Sequence, residues 1–151
     1  MNDRLESMKS VFNDFEIMKG RIANLPDEGC SRIIVSTDNP KRVIKSIFDK
    51  FESINRQGSQ LYILSEPDKQ ELLWLDKASH AANNGNWLIL SLDSFWIDRL
   101  QTIVSETMGS IDCRLWIICP PHFINEIPKR ICRISLIVTE INPYKLGYVI
   151  C

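Results

Sequence analysis

One run of four residues, Trp87-Leu88-Ile89-Leu90, limits the choice of folds more than any other stretch of this chain. It opens on Asn83-Asn84-Gly85 and gives way to Ser91, Asp93 and Ser94. An unbroken apolar run of this length between turn residues reads as a strand buried on both faces, and such a strand needs a covering layer on each side. Similar runs stand at Arg32 to Ser36, Leu61 to Leu64, Arg114 to Cys119 and Ile134 to Thr139.

Helix-patterned sequence separates them. Pro40 opens the first helix at its permitted first position with Asn39 as cap, and Val43, Ile44, Ile47, Phe48, Phe51 and Ile54 form its apolar stripe. Glu66 to Asn83 carries Leu72, Leu73, Leu75, Ala78 and Ala82, and Phe95 to Met108 carries Trp96, Leu100, Ile103 and Val104. A short segment around Pro128 to Cys132 precedes the last strand. Strands and helices in strict alternation predict a three-layer α/β sandwich around a mostly parallel five-stranded sheet. Ahead of it, Leu5, Met8, Phe12, Phe15, Met18, Ile22 and Leu25 recur at spacings of three and four and predict an amphipathic helix. Pro26-Asp27-Glu28-Gly29 ends that pattern, so residues 1–28 are expected to be helix and linker and 29–151 the α/β domain.

Composition narrows the functional classes. Lys and Arg total 18 against 19 Asp and Glu, so no global field draws the chain to nucleic acid or anionic lipid. Lys41, Arg42, Lys45 and Lys50 share a helix with acids and lack an aromatic platform, which reads as a solvated face. No apolar run approaches membrane-span length, and the charged N-terminus is not that of a secretory signal, so cytosolic residence is expected. The cysteines, Cys30, Cys113, Cys119, Cys132 and Cys151, are odd in number without a Cys-x-x-Cys pair, which predicts buried reduced thiols.

The loop after the first strand is where a phosphate cradle would lie. A Walker A loop needs glycines and a Lys, whereas Ser36-Thr37-Asp38-Asn39-Pro40 has neither. Asp38 would repel a phosphate and Pro40 removes an N–H, so nucleotide binding is not expected. Asp93 follows its strand as a Walker B acid would, but the usual second acid is Ser94, and Asp93 reads better as a helix cap. His80 and His122 lack metal-ligand partners at helical spacing, so neither a metal nor a cofactor is expected. Cys119 with His122 is the sharpest enzymatic arrangement available, as thiolate and base, yet Cys119 as a packing residue is the simpler reading.

Three stretches together resemble the sixth AAA+ module of the dynein heavy chain. Arg32-Ile33-Ile34-Val35-Ser36-Thr37-Asp38-Asn39-Pro40 is similar to that module's opening strand with its Ser and nearby Asp-Pro. Gly85-Asn86-Trp87-Leu88-Ile89-Leu90 resembles the family's Gly-x-Trp before three apolar residues, and Arg114-Leu115-Trp116 matches its Arg-Leu-Trp. Ile127-Pro128, Thr139-Glu140 and Pro143 to Leu146 fall near further family motifs, over about Ser31 to Ile150 in all. After the Trp strand this chain departs, with Ser91-Leu92-Asp93-Ser94-Phe95 where the family has Gln-Asn-x-His-Leu.

The resemblance implies a P-loop NTPase-like fold, the AAA+ large subdomain without its phosphate loop and without the helical lid. It implies a non-catalytic structural module of a microtubule motor, which relays changes to the microtubule-binding stalk. Neighbouring AAA+ modules or other motor subunits would be its partners, and the cytoplasm, cytoskeleton or ciliary axoneme its location. Two other readings come from the residues themselves. One is a small α/β enzyme or ligand-binding domain using Thr37, Asp38, Asp93 and Cys119 at the carboxyl edge of the sheet. The other is an adaptor that docks on a partner through its N-terminal helix.

Overall fold

The computed structural model describes Ile22, Leu25 and residues 31–54, 58–70, 72–82, 86–108 and 113–139. Its strands are β1 (Arg32–Ser36), β2 (Leu61–Leu64), β3 (Trp87–Ser91), β4 (Arg114–Cys119) and β5 (Leu136–Thr139). Helix α1 (Pro40–Ile54) follows β1, α2 (Leu73–Ala81) follows β2, α3 (Ser94–Met108) follows β3 and α4 (Lys129–Arg133) follows β4. All strand pairs are parallel, in the order β2-β3-β4-β1-β5. The expected three-layer sandwich is therefore present, with five parallel strands among the described residues.

The strand order sets where the helices lie. From β1 the chain passes β4 and β3 to reach β2, and every later connection runs in the opposite direction. Right-handed crossovers in opposite directions place their helices on opposite faces. The two cores agree. Val43 and Ile47 of α1 pack with Ile33, Val35, Trp87, Ile89, Trp116 and Ile118. Residues of α2, α3 and α4 pack with Ile34, Leu88, Leu90, Leu115 and Ile117. Alternate residues of one strand thus serve different layers, and each fully buried Ile or Leu is worth about 1.5–3 kcal/mol over an exposed one.

On the α1 side the amino ends of β3 and β4 hold an aromatic cluster. Trp87 meets Phe51 edge-on at 5.2 Å and Trp116 at 5.4 Å. The buried Arg114 guanidinium lies 4.9 Å from the Trp87 ring and 5.7 Å from that of Trp116. Ile22 is buried in the same layer, and Leu25 packs against it. The remainder of the expected N-terminal helix and the expected 28/29 boundary lie outside the described residues, as does whatever follows Thr139.

Four local expectations need correction. The helix expected over Glu66 to Asn83 is split, with a 3-10 turn at Glu66–Lys69 before α2 begins at Leu73. The Ser65 hydroxyl and backbone N–H both donate to Asp68, which closes that turn as a separate capping box. In consequence Leu72 and Leu73 are exposed, and Trp74, Ala78 and Ala81 form the buried face. The last strand begins at Leu136, since Ile134 and Ser135 donate their N–H groups to the carbonyls of Ile131 and Cys132 and so end α4. Lys50 is not on a solvated face: it is buried, and its ammonium donates to the Leu25 carbonyl at 2.7 Å. Cys113 and Cys119 are buried thiols outside any disulfide, as expected, but Cys132 is disulfide-bonded.

Candidate functional site

In an open α/β sheet, ligands bind beyond the carboxyl ends of adjacent strands whose connections leave to opposite faces. Here those strands are β1 and β4, since α1 covers one face and the segment after Cys119 packs on the other. The order β2-β3-β4-β1-β5 is neither the dinucleotide-binding nor the flavodoxin-like order. Thr37, Asp38, Asp93 and Cys119 all fall at this edge, so the fold brings together the residues that the sequence nominated.

The backbone ladders of β1–β4 and β3–β4 run one residue past the strand ends at this edge. The Thr37 N–H donates to the Cys119 carbonyl at 2.9 Å, and the Leu92 N–H donates to the Ile118 carbonyl at 2.8 Å. Thr37 is fully buried, and its hydroxyl oxygen accepts the Asn39 N–H at 3.0 Å. Asn39 caps α1 by accepting the Arg42 N–H at 3.4 Å, a long bond. Asp38 is exposed on the loop between them. The turn thus uses its own side chains to satisfy the start of α1, and Pro40 offers no N–H there.

Asp93 is held from two sides. One carboxylate oxygen accepts the Trp96 N–H at 3.0 Å and so caps α3, and the other accepts the Lys69 ammonium at 2.7 Å. Burial pushes the Asp93 carboxyl up, but Lys69 and the Trp96 amide outweigh it and hold the group below the usual carboxylate range. Lys69 is raised in turn by its bonds to Asp93 and Glu66, and its ammonium lies 5.2 Å from the Phe95 ring. The cap expected for Asp93 is therefore its observed role.

A second ion pair lies on the same side of β2. Asp68 accepts the Lys77 ammonium at 2.9 Å, and Lys77 also donates to the Ile63 carbonyl at 3.0 Å. Burial raises the Asp68 carboxyl, yet Lys77 and the Ser65 donors together leave it lowered. Sequence reading missed both pairs. Ser65-x-x-Asp68 has the spacing of a capping box and was findable; Lys69 with Asp93 joins two separate strand-helix units and had no local signal.

Cys119 is not poised as a nucleophile. Its thiol is fully buried, donates to the Pro120 carbonyl at 3.1 Å and is pushed up to about 12, by burial first and by the Glu126 charge second. A thiol in that range stays protonated at neutral pH. His122 is exposed, its ring tilted 39° to that of Phe123 with centroids 4.7 Å apart. His80 is exposed on α2. Among the described residues, no three His, Cys, Asp or Glu side chains gather to hold a metal ion, and no helix is long and apolar enough to cross a membrane.

One polar atom at the edge stands apart. The Ser36 hydroxyl, at the end of β1 beside Cys119, is fully buried without a hydrogen-bond partner among the described residues. Comparison with known protein families, characterised proteins and solved structures gives no match for this chain.

Proposed function

We propose that the chain is a non-catalytic AAA+-type structural module, of the kind that stands sixth in the dynein ring, working through contacts with neighbouring modules or other motor subunits. The observation that carries this reading is the state of the carboxyl edge. Asp93 is committed to Lys69 and Trp96, and the loop before α1 is capped by its own Asn39. Each of these groups stabilises the fold, which supports a scaffold over a site of chemistry. The Ser-Thr-Asp-Asn-Pro loop, the Gly-x-Trp strand and Arg114-Leu115-Trp116 supply the link to the dynein module.

Calorimetric titration of ATP and ADP with Mg²⁺ tests the first part. No heat is expected up to millimolar nucleotide, where binding would be worth only about 4 kcal/mol. Micromolar binding would overturn the reading and make an enzyme the leading hypothesis. The ring assignment has its own test: co-expressed with the adjoining module of a dynein-type ring, the chain is expected to co-elute with it. Separate elution of the two would remove the assignment.

A second reading, a ligand-binding domain using the same edge, draws on the buried and unpartnered Ser36 hydroxyl. A small ligand reaching past Thr37 would supply that hydroxyl with a partner.

A further inference from the structure

Away from the carboxyl edge, α3 and α4 leave a groove between them of about 310 Å³. Val104 and Met108 line one wall and Arg130, Ile131 and Ile134 the other. Met108 is 52% exposed and Ile134 42%, so apolar side chains stand open to solvent here. The α4 wall is basic. Helix α4 reads Lys-Arg-Ile-Cys-Arg with no acid, and its three cations are exposed. Among the described residues none of Lys129, Arg130 and Arg133 makes an ion pair. In a chain of net charge -1 this is a local concentration of positive charge beside an apolar trough.

We propose that this groove seats an amphipathic helical segment of a partner protein, one that carries Asp or Glu beside its apolar anchors. The two observations select the two halves of that chemistry. Val104 and Met108, one helical turn apart, give a trough that accepts apolar side chains repeating at three and four residues. Arg130 on the groove wall and Arg133 three residues further along α4 have charge capacity that no described residue takes up, and carboxylates along the edge of a docked helix would meet it. An anionic bilayer offers negative charge too, but it favours a protruding apolar face, whereas this one is recessed. The inference goes beyond the ring reading and does not depend on it.

The test uses the full chain, isotope-labelled, and three synthetic helical peptides of about 16 residues, roughly four turns. All share one Leu stripe and differ in having Glu, Gln or Lys beside it. The Glu peptide is expected to bind about tenfold tighter than the Gln peptide and the Lys peptide weakest, as two or three partly exposed ion pairs would give. Amide shifts are expected to change at Val104, Met108 and Ile134. The double change Arg130→Glu with Arg133→Glu, both at exposed positions, is expected to reverse the order of the Glu and Lys peptides. Met108→Gln is expected to weaken all three alike. Equal affinity for the three peptides, shift changes confined to other surfaces, or no binding at millimolar peptide would overturn the proposal. So would binding to phosphatidylserine vesicles with no response to any peptide.

Discussion

Lys69 and Asp93 stand 24 residues apart in sequence, and their side chains meet at 2.7 Å. The contact joins the turn after β2 to the first turn of α3 and fixes two neighbouring connections at the carboxyl edge. It is partly exposed, with Asp93 at 43% and Lys69 at 19%, so the helix cap contributes more than the ion pair.

Replacing Asp93 separates the two roles. Asp93→Asn keeps a cap and loses the charge, with an expected cost below about 1 kcal/mol. Asp93→Ala loses both, at about 1–2 kcal/mol. Urea midpoints of the two variants check the order, and equal midpoints would mean that the cap is without weight.

Acid should unfold the protein through Asp68 and Asp93. Both carboxyls are lowered in the fold, so their contribution is complete above the ordinary Asp value of about 4 and is lost as pH falls through the lower native values. Stability measured by urea is expected to be flat from about pH 5 to 7 and to drop below about pH 4. Asp68→Asn is expected to shallow that drop.

The two buried thiols should be silent. Burial raises Cys113 to about 11 and Cys119 to about 12, which leaves about one thiolate in a thousand and in ten thousand respectively at pH 8. A colorimetric disulfide reagent is expected to label neither at a rate near that of a free cysteine until guanidinium is added. Because both values are raised, the linked stability is present below about pH 9 and declines as pH climbs toward the native values. Prompt labelling of Cys119 in the native protein would contradict its packing role.

Trp116 offers a contrast between two truncations. It is fully buried, and its indole N–H has no hydrogen-bond partner among the described residues. Trp116→Phe therefore forfeits volume but no bond, at an expected cost of about 1–2 kcal/mol. Trp116→Ala also removes most contact with Trp87 and is expected to cost about 3–5 kcal/mol, a large part of a typical domain's stability. Thermal unfolding followed by circular dichroism measures both.

At Ser36 the direction is reversed. A buried hydroxyl with no partner costs stability, so Ser36→Ala is expected to leave the thermal midpoint unchanged or raise it, by up to about 1 kcal/mol. A fall beyond about 1 kcal/mol would show that the hydroxyl has a partner in solution and would favour the ligand-binding reading.

Strands were the most legible part of the fold. Arg32–Ser36, Leu61–Leu64 and Arg114–Cys119 stand where their apolar runs predict, because a strand buried on both faces leaves an unbroken signature. Asp93 was legible as a cap because capping is local. Lys50 was not: its burial depends on a carbonyl 25 residues away, and on its own helix it looks like any solvated Lys. Leu72 and Leu73 misled for a related reason, since their spacing fits a helix face that the Ser65–Asp68 box ends beforehand. The α3–α4 groove needed the third dimension, because its walls come from separate segments and neither carries a full binding signature.

The place of β1 in the sheet has a consequence for synthesis. This strand emerges before both of its neighbours, β4 and β5, the first of them roughly eighty residues further along the chain. At about 5–20 residues per second, its Ile33, Ile34 and Val35 wait on the order of 4–16 s for a partner. Such a long-range pairing is slow to close and leaves an apolar, β-branched segment open to wrong neighbours on a crowded ribosome. Burial of Ile33, Ile34 and Val35 thus waits until Arg114–Cys119 leaves the exit tunnel, and a holding chaperone would act in that interval.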